Sequence, residues 1–421
     1  MTNEEGLPLS TPTKQHVAFV GLGYIGLPTA VTLANSGVRV TGIDVNEEAV
    51  ARINRGEVTI VEPGLEEALV SALNSGNFTA TTAPVHADAY VIAVPTPFTT
   101  DHGIDMKYIY SAAESIAPLL EGDELVVLES TSPPKTTEKM AQRILDLRPE
   151  FKDEGKLHFA HCPERILPGV AMTELKTNDR IIGGMTEEAT RRATEIYASF
   201  CEGELLPTDA ATAEMAKLTE NTFRDVNIAL ANELSLICDN LGIDVWELIK
   251  LANHHPRVNL LQPGPGVGGH CIAVDPWFIV AADRKNSRLI KTAREVNDSK
   301  PQWVIKQVKD RVSSEHGPRK VATFGLAFKP DIDDLRESPA LDIVAQLADE
   351  LSTVQILAVE PNVEQLPPVL ANKSNVALSS VEEAIREAEV LVMLVDHKEF
   401  KAVDPSLFEG KTIVDTKGLW A

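Results

Sequence analysis

The sequence predicts an α/β protein with two doubly wound domains, joined by a long central helix and a helical middle domain. Three observations lead to this prediction. Short apolar segments alternate with helical ones in the first half, a stretch without Pro or Gly runs from Asp209 to Asn240, and a second alternation opens at Lys320. At 421 residues the chain is too long for one typical core, so several domains are expected.

The first predicted domain covers residues 14–207. Its strand-like segments are His16–Val20, Val38–Ile43, Ala89–Val94, Leu125–Leu128 and Leu157–Ala160. Helical sequence between the strands, such as Pro28–Asn35, predicts a parallel sheet with helices on both faces.

The middle domain is predicted over residues 208–300. Its main feature is a helix at Asp209–Asn240, with Gly242 placed where a helix C-terminus favours glycine. Such a helix would be roughly 45 Å long and could join two domains. Shorter helices are expected at Val245–Ala252 and Asn286–Asp298.

The third domain is predicted over residues 318–421. Strands and helices alternate again, in the order Lys320–Gly325, Ser338–Glu350, Gln355–Val359, Val381–Glu387, Val390–Val395 and Lys411–Thr416. The alternation predicts a second doubly wound sheet.

Composition and charge narrow the class of protein. No apolar run approaches the roughly 18 to 20 residues that cross a bilayer, and Met1–Lys14 is polar, so a cytoplasmic protein without a signal peptide is expected. A net charge of -23 argues against nucleic acid and anionic membranes as partners. Three of the four cysteines, Cys162, Cys201 and Cys238, are expected to be inert, and no metal site is predicted.

A glycine-rich turn follows the first strand. Gly21, Gly23 and Gly26 form a G-x-G-x-x-G pattern that opens a helix, and Asp44 ends the next strand. This arrangement is typical of the phosphate turn of Rossmann-like domains, and a carboxylate at Asp44 favours NAD over NADP. The alternative is a purely structural glycine turn. Loops containing Thr96 and Thr131 follow later strands and are either further ligand contacts or simple proline-rich turns.

A second glycine-rich stretch surrounds Cys271. Residues 262–275 hold four glycines and two prolines, which favours a rigid loop that brings backbone close to a ligand. Asp275 follows the cysteine by four residues. The pattern indicates a nucleophilic Cys271.

One face of the central helix carries polar residues. Lys217, Asn221 and Arg224 have i, i+4 and i+7 spacing, so they share a face. This is either an ordinary solvated face or the lining of a cleft, where an ammonium group could favour a thiolate and stabilise an oxyanion.

Together these features resemble the UDP-glucose/UDP-mannose-type nucleotide-sugar 6-dehydrogenase family over nearly the whole chain. The resembling stretches are residues 20–30, 92–98, 129–133, 162–169, 213–238, 255–278, 324–340 and 393–397. The glycine-rich cysteine loop and the FKPDIDDLRES segment are the specific ones. The resemblance implies an NAD domain, a helical region used in homodimerisation and a C-terminal domain that binds a UDP-sugar.

The resemblance also implies roles for individual residues. Cys271 would be the nucleophile, Lys217 would assist proton transfer, Asn221 would hold an oxyanion, Asp275 and Thr131 would support a water, and Glu164 would serve thioester hydrolysis. Implied cofactor contacts are Gly21, Gly23, Tyr24, Ile25, Gly26, Asp44, Thr96, Thr131 and Arg336. Implied substrate contacts are Arg165, Ile166, Lys217, Asn221, Arg224, His255, Arg257, Gly266, Phe328 and Lys329.

Two departures from the family pattern bear on the substrate. Val274 stands where UDP-glucose dehydrogenases usually carry lysine, and His255 replaces the aspartate of their Asp-Pro-Arg segment. Both resemble the branch that oxidises UDP-N-acetyl-D-mannosamine to its uronate with two NAD, so this activity is expected.

Three alternatives stay open. The same oxidation could act on UDP-glucose or UDP-N-acetylglucosamine. A hydroxyacid dehydrogenase of similar architecture would transfer one hydride and would not need Cys271. A non-catalytic nucleotide sensor would bind NAD without turnover.

Overall fold

The computed structural model describes residues 15–99, 103–153, 155–269, 271–312 and 320–420. The predictions for Met1–Lys14 and for the start of the third domain at residue 318 lie outside these ranges. The chain forms two compact units, unit 1 up to Thr219 and unit 2 from Glu220.

Unit 1 contains an eight-stranded sheet. Its strands are β1 His16–Val20, β2 Arg39–Ile43, β3 Phe78–Thr81, β4 Ala89–Ile92, β5 Leu125–Leu128, β6 His158–His161, β7 Arg180–Gly184 and β8 Leu205–Asp209. They lie in the order β3-β2-β1-β4-β5-β6-β7-β8. The strand order reverses between β1 and β4, and such a switch point is where open α/β sheets bind ligands.

The helices of unit 1 connect these strands. They are α1 Gly26–Asn35, α2 Glu47–Asn54, α3 Leu65–Asn74, α4 Lys107–Ile116, α5 Thr136–Leu147, α6 Ala171–Thr177 and α7 Glu187–Ala198, with short 3-10 turns at Ala117–Leu119 and Pro149–Phe151. Alternate residues of β1 enter different cores, because Val17 and Phe19 pack on one face of the sheet and Ala18 and Val20 on the other. The sheet is therefore covered on both faces, as predicted.

One strand pair departs from the predicted parallel sheet. β7 pairs antiparallel with β6 and parallel with β8. Strands buried on both faces are apolar throughout, so their sequence does not record the direction of pairing.

A long helix, α8 Ala210–Leu241, contains the boundary between the units at residues 219 and 220. Gly242 follows it with a φ of +68°, which confirms the predicted glycine stop. No helix in the described residues is long and apolar enough to cross a membrane.

Unit 2 contains a five-stranded parallel sheet. Its strands are β9 Val321–Phe324, β10 Ile356–Val359, β11 Val376–Leu378, β12 Val390–Met393 and β13 Thr412–Asp415, in the order β11-β10-β9-β12-β13. Its helices after α8 are α9 Val245–Ala252, α10 Asp275–Ala282, α11 Arg288–Val312, α12 Pro339–Glu350, α13 Pro368–Ala371, α14 Val381–Glu387 and α15 Lys398–Lys401, with a 3-10 turn at Pro405–Phe408.

The predicted end of a helix at Asp298 is wrong, because α11 continues through Pro301 to Val312. The apolar residues Val304, Ile305 and Val308 lie beyond the proline and are buried in the core that covers the second sheet. Burial of this stripe outweighs the hydrogen bond that proline removes from the helix.

Candidate active site

Two glycines of the first turn are required by close backbone packing. Gly21 has a φ of +100°, and its N–H donates to the carbonyl of Ile43 over 2.8 Å. A Cβ on Gly21 would lie 2.3 Å from the carbonyl oxygen of Ala93, and a Cβ on Gly26 would lie 2.0 Å from that of Gly21. Neither position accepts a side chain without moving backbone.

Gly23 is different, because a Cβ there would meet nothing within 4 Å. The open space lies beside the first turn of α1, where unpaired N–H groups and the helix dipole favour an anion. Oδ2 of Asp44 accepts the N–H of Leu22 over 2.9 Å and Oδ1 accepts that of Asn46 over 2.9 Å. Each oxygen retains a lone pair for a ribose hydroxyl, so the turn fits a dinucleotide.

Tyr24 has a structural role in addition to its predicted cofactor contact. Its hydroxyl donates to Glu62 over 2.7 Å, and burial with this carboxylate raises the pKa of Tyr24. Glu62 also accepts the N–H groups of Gly169 and Ala171. The glycine turn is thereby tied to the loop before α6.

The loops after β4 and β5 lie side by side. Ser130 Oγ donates to the carbonyl of Val94 over 2.7 Å. Thr96 and Thr131 are half-buried in these loops, at the carboxyl edge of the sheet that the sequence predicted for them.

A buried ionic cluster lies beneath that edge. Arg180 Nη2 donates to Glu164 Oε2 over 2.8 Å, and Nη1 is 3.8 Å from Glu129 Oε1. The hydroxyl of Tyr197 donates to Glu129 over 3.3 Å. One cation faces two carboxylates, and burial together with Glu164 raises the pKa of Glu129 to about 8. Glu129 therefore holds its proton more tightly than an ordinary glutamate, and Arg180 makes its shorter ion pair with Glu164.

Glu164 is held firmly by this cluster. Its second oxygen, Oε1, accepts the backbone N–H of Arg165 over 2.7 Å. The side chain of Arg165 donates to the carbonyl of Asp179, and Ile166 is half-buried beside it. Burial raises the pKa of the neighbouring Cys162 thiol to about 12, which agrees with the prediction that this cysteine is inert.

The Cys271 loop packs against residues 328–339. A Cβ on Gly268 would lie 2.2 Å from the carbonyl oxygen of Glu337, and one on Gly269 would lie 3.0 Å from the Phe328 ring. The N–H of Gly269 donates to that same carbonyl over 3.2 Å. The loop is thus held backbone to backbone, while Cys271 itself is exposed.

Gly266 makes the third close approach of this loop. It has a φ of +150°, and a Cβ there would lie 2.9 Å from Pro339 and 3.2 Å from Pro301. Cys271 then leads into α10, because its carbonyl accepts the N–H groups of Val274 and Asp275.

The predicted polar face of α8 varies in burial. Lys217 is half-buried, Asn221 is buried and Arg224 is exposed. Asn221 Nδ2 donates to Asp275 Oδ2 over 2.6 Å, and both residues are nearly inaccessible to solvent. This bond joins two predicted catalytic residues in unit 2.

The remaining predicted ligand contacts in unit 2 lie in loops. His255 and Arg257 are exposed, and the N–H of Arg257 donates to the His255 ring over 3.3 Å. Lys329 lies 5.8 Å from the centre of the Phe328 ring. Arg336 makes a two-point ion pair with Asp334 at 2.8 and 2.6 Å.

Three buried polar residues were missed by sequence reasoning. Glu129 and Arg180 have ionisable side chains, and such residues are ordinarily expected at the surface. Asn232, fully buried on α8, was missed as well, although its distance of 11 residues from Asn221 is three helical turns. The 11-residue spacing from Asn221 could have indicated that Asn232 lies on the same face of the helix.

One group of side chains in the described residues has the spacing of a metal site, at Asp331, His397 and Glu399. His397 Nδ1 accepts the N–H of Asp331 over 2.9 Å, and Nε2 lies 3.1 Å from Glu360. Both ring nitrogens are occupied, so His397 ties two loops together.

Three family models match the chain in sequence. They describe the NAD binding, central and UDP binding domains of the UDP-glucose/GDP-mannose dehydrogenase family and match residues 15–201, 211–299 and 322–421.

Individual relatives are similar over almost their full length. The UDP-N-acetyl-D-mannosamine dehydrogenase of Escherichia coli is 54% identical, over 96% of this chain and 99% of its own. An NDP-N-acetyl-D-galactosaminuronic acid dehydrogenase of Ralstonia nicotianae is 51% identical over 96% of each chain. The structure of a Staphylococcus aureus UDP-N-acetyl-mannosamine dehydrogenase has a TM-score of 0.83 and 42% identity, covering 96% of this chain and 95% of that one.

Gly23→Ala should weaken NAD binding without affecting the fold. The methyl group enters open space that the pyrophosphate needs, and losing one hydrogen bond to a charged group typically weakens binding by about tenfold or more. Gly26→Ala is the matched variant: its methyl group meets the Gly21 carbonyl, so we expect a lower Tm. Titration calorimetry and thermal unfolding measure both effects. NAD affinity unchanged in Gly23→Ala would contradict this assignment.

Glu129→Gln should alter how stability depends on pH. The folded state keeps the Glu129 proton up to about pH 8, whereas the unfolded chain releases it near its ordinary value of 4.5. Wild-type unfolding therefore releases a proton between these values, and stability falls as pH rises. Glutamine resembles the protonated carboxyl and lacks this dependence.

We expect the Tm of Glu129→Gln to rise relative to wild type from pH 5 to pH 8. Glu124→Gln is the control, because Glu124 is also buried but both its oxygens accept backbone N–H groups. Parallel Tm curves for wild type and Glu129→Gln would show that Glu129 is ionised in the folded protein.

Proposed function

The chain belongs to the UDP-glucose/GDP-mannose dehydrogenase family, and from this premise we propose that it oxidises UDP-N-acetyl-D-mannosamine at C6 to UDP-N-acetyl-D-mannosaminuronate. The reaction uses two NAD and passes through a thiohemiacetal and a thioester on Cys271. The names of relatives at 54% identity support the substrate. The exposed thiol on a loop fixed by close backbone contacts carries the mechanism.

The first oxidation removes a proton and a hydride from the C6 alcohol. Bound NAD supplies the hydride acceptor in both oxidations. Lys217 takes the hydroxyl proton directly or through water, and its ammonium form stabilises negative charge on oxygen. Asn221 donates one amide hydrogen to Asp275, which leaves the other for the oxyanion.

Cys271 then adds to the aldehyde. The sulfur forms a bond to C6 and the aldehyde oxygen takes up a proton, which gives a thiohemiacetal. This carbon again bears one hydrogen and one hydroxyl, so it can lose a second hydride and a proton. The product is a thioester, and two electrons have left at each oxidation.

Water completes the reaction by attacking the thioester carbonyl. The carbon–sulfur bond breaks, the thiol recovers its proton and the uronate leaves. We assign Glu164, Thr131 and Asp275 to this step. Glu164 is fixed by Arg180 and by the N–H of Arg165, and such a carboxylate can orient a water through its remaining lone pairs.

The substrate carries a diphosphate that the overall charge of -23 repels. Local cations must therefore bind it. We assign substrate contacts to Arg165, Ile166, Lys217, Asn221, Arg224, His255, Arg257, Gly266, Phe328 and Lys329. We assign cofactor contacts to Gly21, Gly23, Tyr24, Ile25, Gly26, Asp44, Thr96, Thr131 and Arg336.

One relative favours a second candidate for the sugar. The Ralstonia nicotianae relative, at 51% identity, is named for a different N-acetylated sugar. The same four-electron chemistry on another UDP-sugar is the second candidate, and parallel assays with UDP-glucose and UDP-N-acetylglucosamine separate the two.

We further propose a homodimer formed through α8. Its exposed apolar residues Phe223, Leu230, Ile237 and Leu241 recur at spacings of 7, 7 and 4, which places them on one face. An apolar stripe on a surface helix favours a protein partner.

We also propose the three-domain division 14–207, 208–300 and 318–421, supported by three separate family models. The free thiols of Cys162, Cys201 and Cys238 favour the reducing cytoplasm as the compartment.

Cys271→Ala should stop the reaction after one oxidation. Without the thiol the aldehyde cannot be converted to a thioester, so we expect slow release of one NADH per sugar, free aldehyde and no uronate. Wild type and a Cys201→Ala control should give two NADH per sugar. Absorbance at the NADH band gives the number of NADH per sugar, and chromatography of the products gives the amounts of aldehyde and uronate. Uronate formed by Cys271→Ala at the wild-type rate would rule out covalent capture.

A further inference from the structure

A buried polar network joins α8 to the start of the Cys271 loop. Asn232 Oδ1 accepts the backbone N–H of Gly264 over 2.9 Å, and Asn232 Nδ2 donates to Asn297 Oδ1 over 2.9 Å. Asn297 Nδ2 in turn donates to Asp225 Oδ1 over 2.8 Å. Arg294 Nη1 donates to that same oxygen over 2.6 Å.

The ion pair sets the direction of every bond in this network. A carboxylate paired with an arginine only accepts hydrogen bonds, so Asn297 must present its amide nitrogen to Asp225. Its amide oxygen then faces Asn232, which must donate to it. The oxygen of Asn232 is therefore left to accept the N–H of Gly264.

Burial makes this orientation costly to break. Asp225, Asn232, Arg294 and Asn297 are each no more than 2% exposed. An unpaired polar group at such depth loses its water contacts without replacement, so the hydrogen bonds of the two asparagine amides strongly favour one arrangement.

The loop is also attached to α8 at its other end, through the bond between Asn221 and Asp275. Asn221 and Asn232 are three turns, or roughly 16 Å, apart on the helix. Gly264 and Asp275 lie on either side of Cys271. The helix thus holds the loop at two separate points that bracket the nucleophile.

We propose that Asn232 is a positioning residue, which fixes the Cys271 loop to α8 so that the thiol captures the aldehyde before it escapes. The inference rests on the proposed function, because it concerns the step between the two oxidations. Asn232 acts through Gly264 and the loop backbone, and not on the sugar.

Asn232→Ala tests this role. We expect hydrogen exchange to become faster in peptides that cover residues 262–274, because Gly264 loses its acceptor. During turnover we expect free aldehyde to leak, so that NADH per sugar falls from two towards one. The ratio of aldehyde to uronate should rise by roughly threefold to tenfold, the effect of one lost hydrogen bond.

Ser235→Ala is the matched control. Ser235 lies one turn further along the same helix, is buried, and accepts a hydrogen bond from Lys300 of α11. Among the described residues of the loop, none forms a hydrogen bond with Ser235. We expect Ser235→Ala to lower the Tm while loop exchange and the product ratio stay at wild-type values.

Three results would overturn the proposal: loop exchange that stays slow in Asn232→Ala, faster exchange with an unchanged product ratio, or equal leakage in Ser235→Ala. If Asn232→Ala does not fold, Asn232→Ser is measured in the same way, because its shorter side chain also fails to reach Gly264. If wild type itself releases only one NADH per sugar, the proposed function fails. The hydrogen-exchange measurement still tests whether Asn232 holds the loop at Gly264.

Discussion

Direct contact between two stretches of backbone fixes the position of Cys271. Gly268 lies so close to the carbonyl oxygen of Glu337 that a Cβ would be only 2.2 Å from it, and Gly269, with a φ of +82°, would place a Cβ 3.0 Å from the ring of Phe328. Glu337 itself has a φ of +48°, an unfavourable conformation for a residue with a Cβ. The strain is tolerated because its carbonyl accepts the N–H of Gly269. A nucleophile on this loop pays little conformational entropy when it reacts.

Helix α8 adds polar anchors to this packing. In unit 2, Asn221 and Asn232 bind Asp275 and Gly264 on either side of the cysteine. In unit 1, Glu214 near the start of the helix accepts the N–H of Thr137 in the first turn of α5. A carboxylate at a helix N-terminus is favourable because it meets unpaired N–H groups. Each anchor is buried, so each resists local opening.

Apolar patterns predicted most elements of the fold. β1, β5, α9 and α14 have the predicted bounds, because sharp turns or polar residues flank their apolar segments. The antiparallel pairing of β7 and the passage of α11 through Pro301 were not predictable, since both depend on contacts distant in sequence. In the candidate site, glycine spacing predicted the phosphate turn and the Cys271 loop. Arg180 and Glu129 were not predicted, because nothing in the local sequence indicates that an ionisable side chain is buried.

If Cys271 carries the half-oxidised sugar, the bound sugar adds to the mass of the enzyme during turnover, and this mass can be measured directly. Glu164→Gln is compared with wild type because its hydrolysis step should be slower. Both proteins are quenched in acid during turnover and analysed by intact and peptide mass spectrometry. We predict an adduct on the Cys271 peptide with the mass of the UDP-sugar less four hydrogen atoms, enriched in Glu164→Gln. An unmodified Cys271 in both proteins, while uronate accumulates, would contradict covalent capture of the sugar by Cys271.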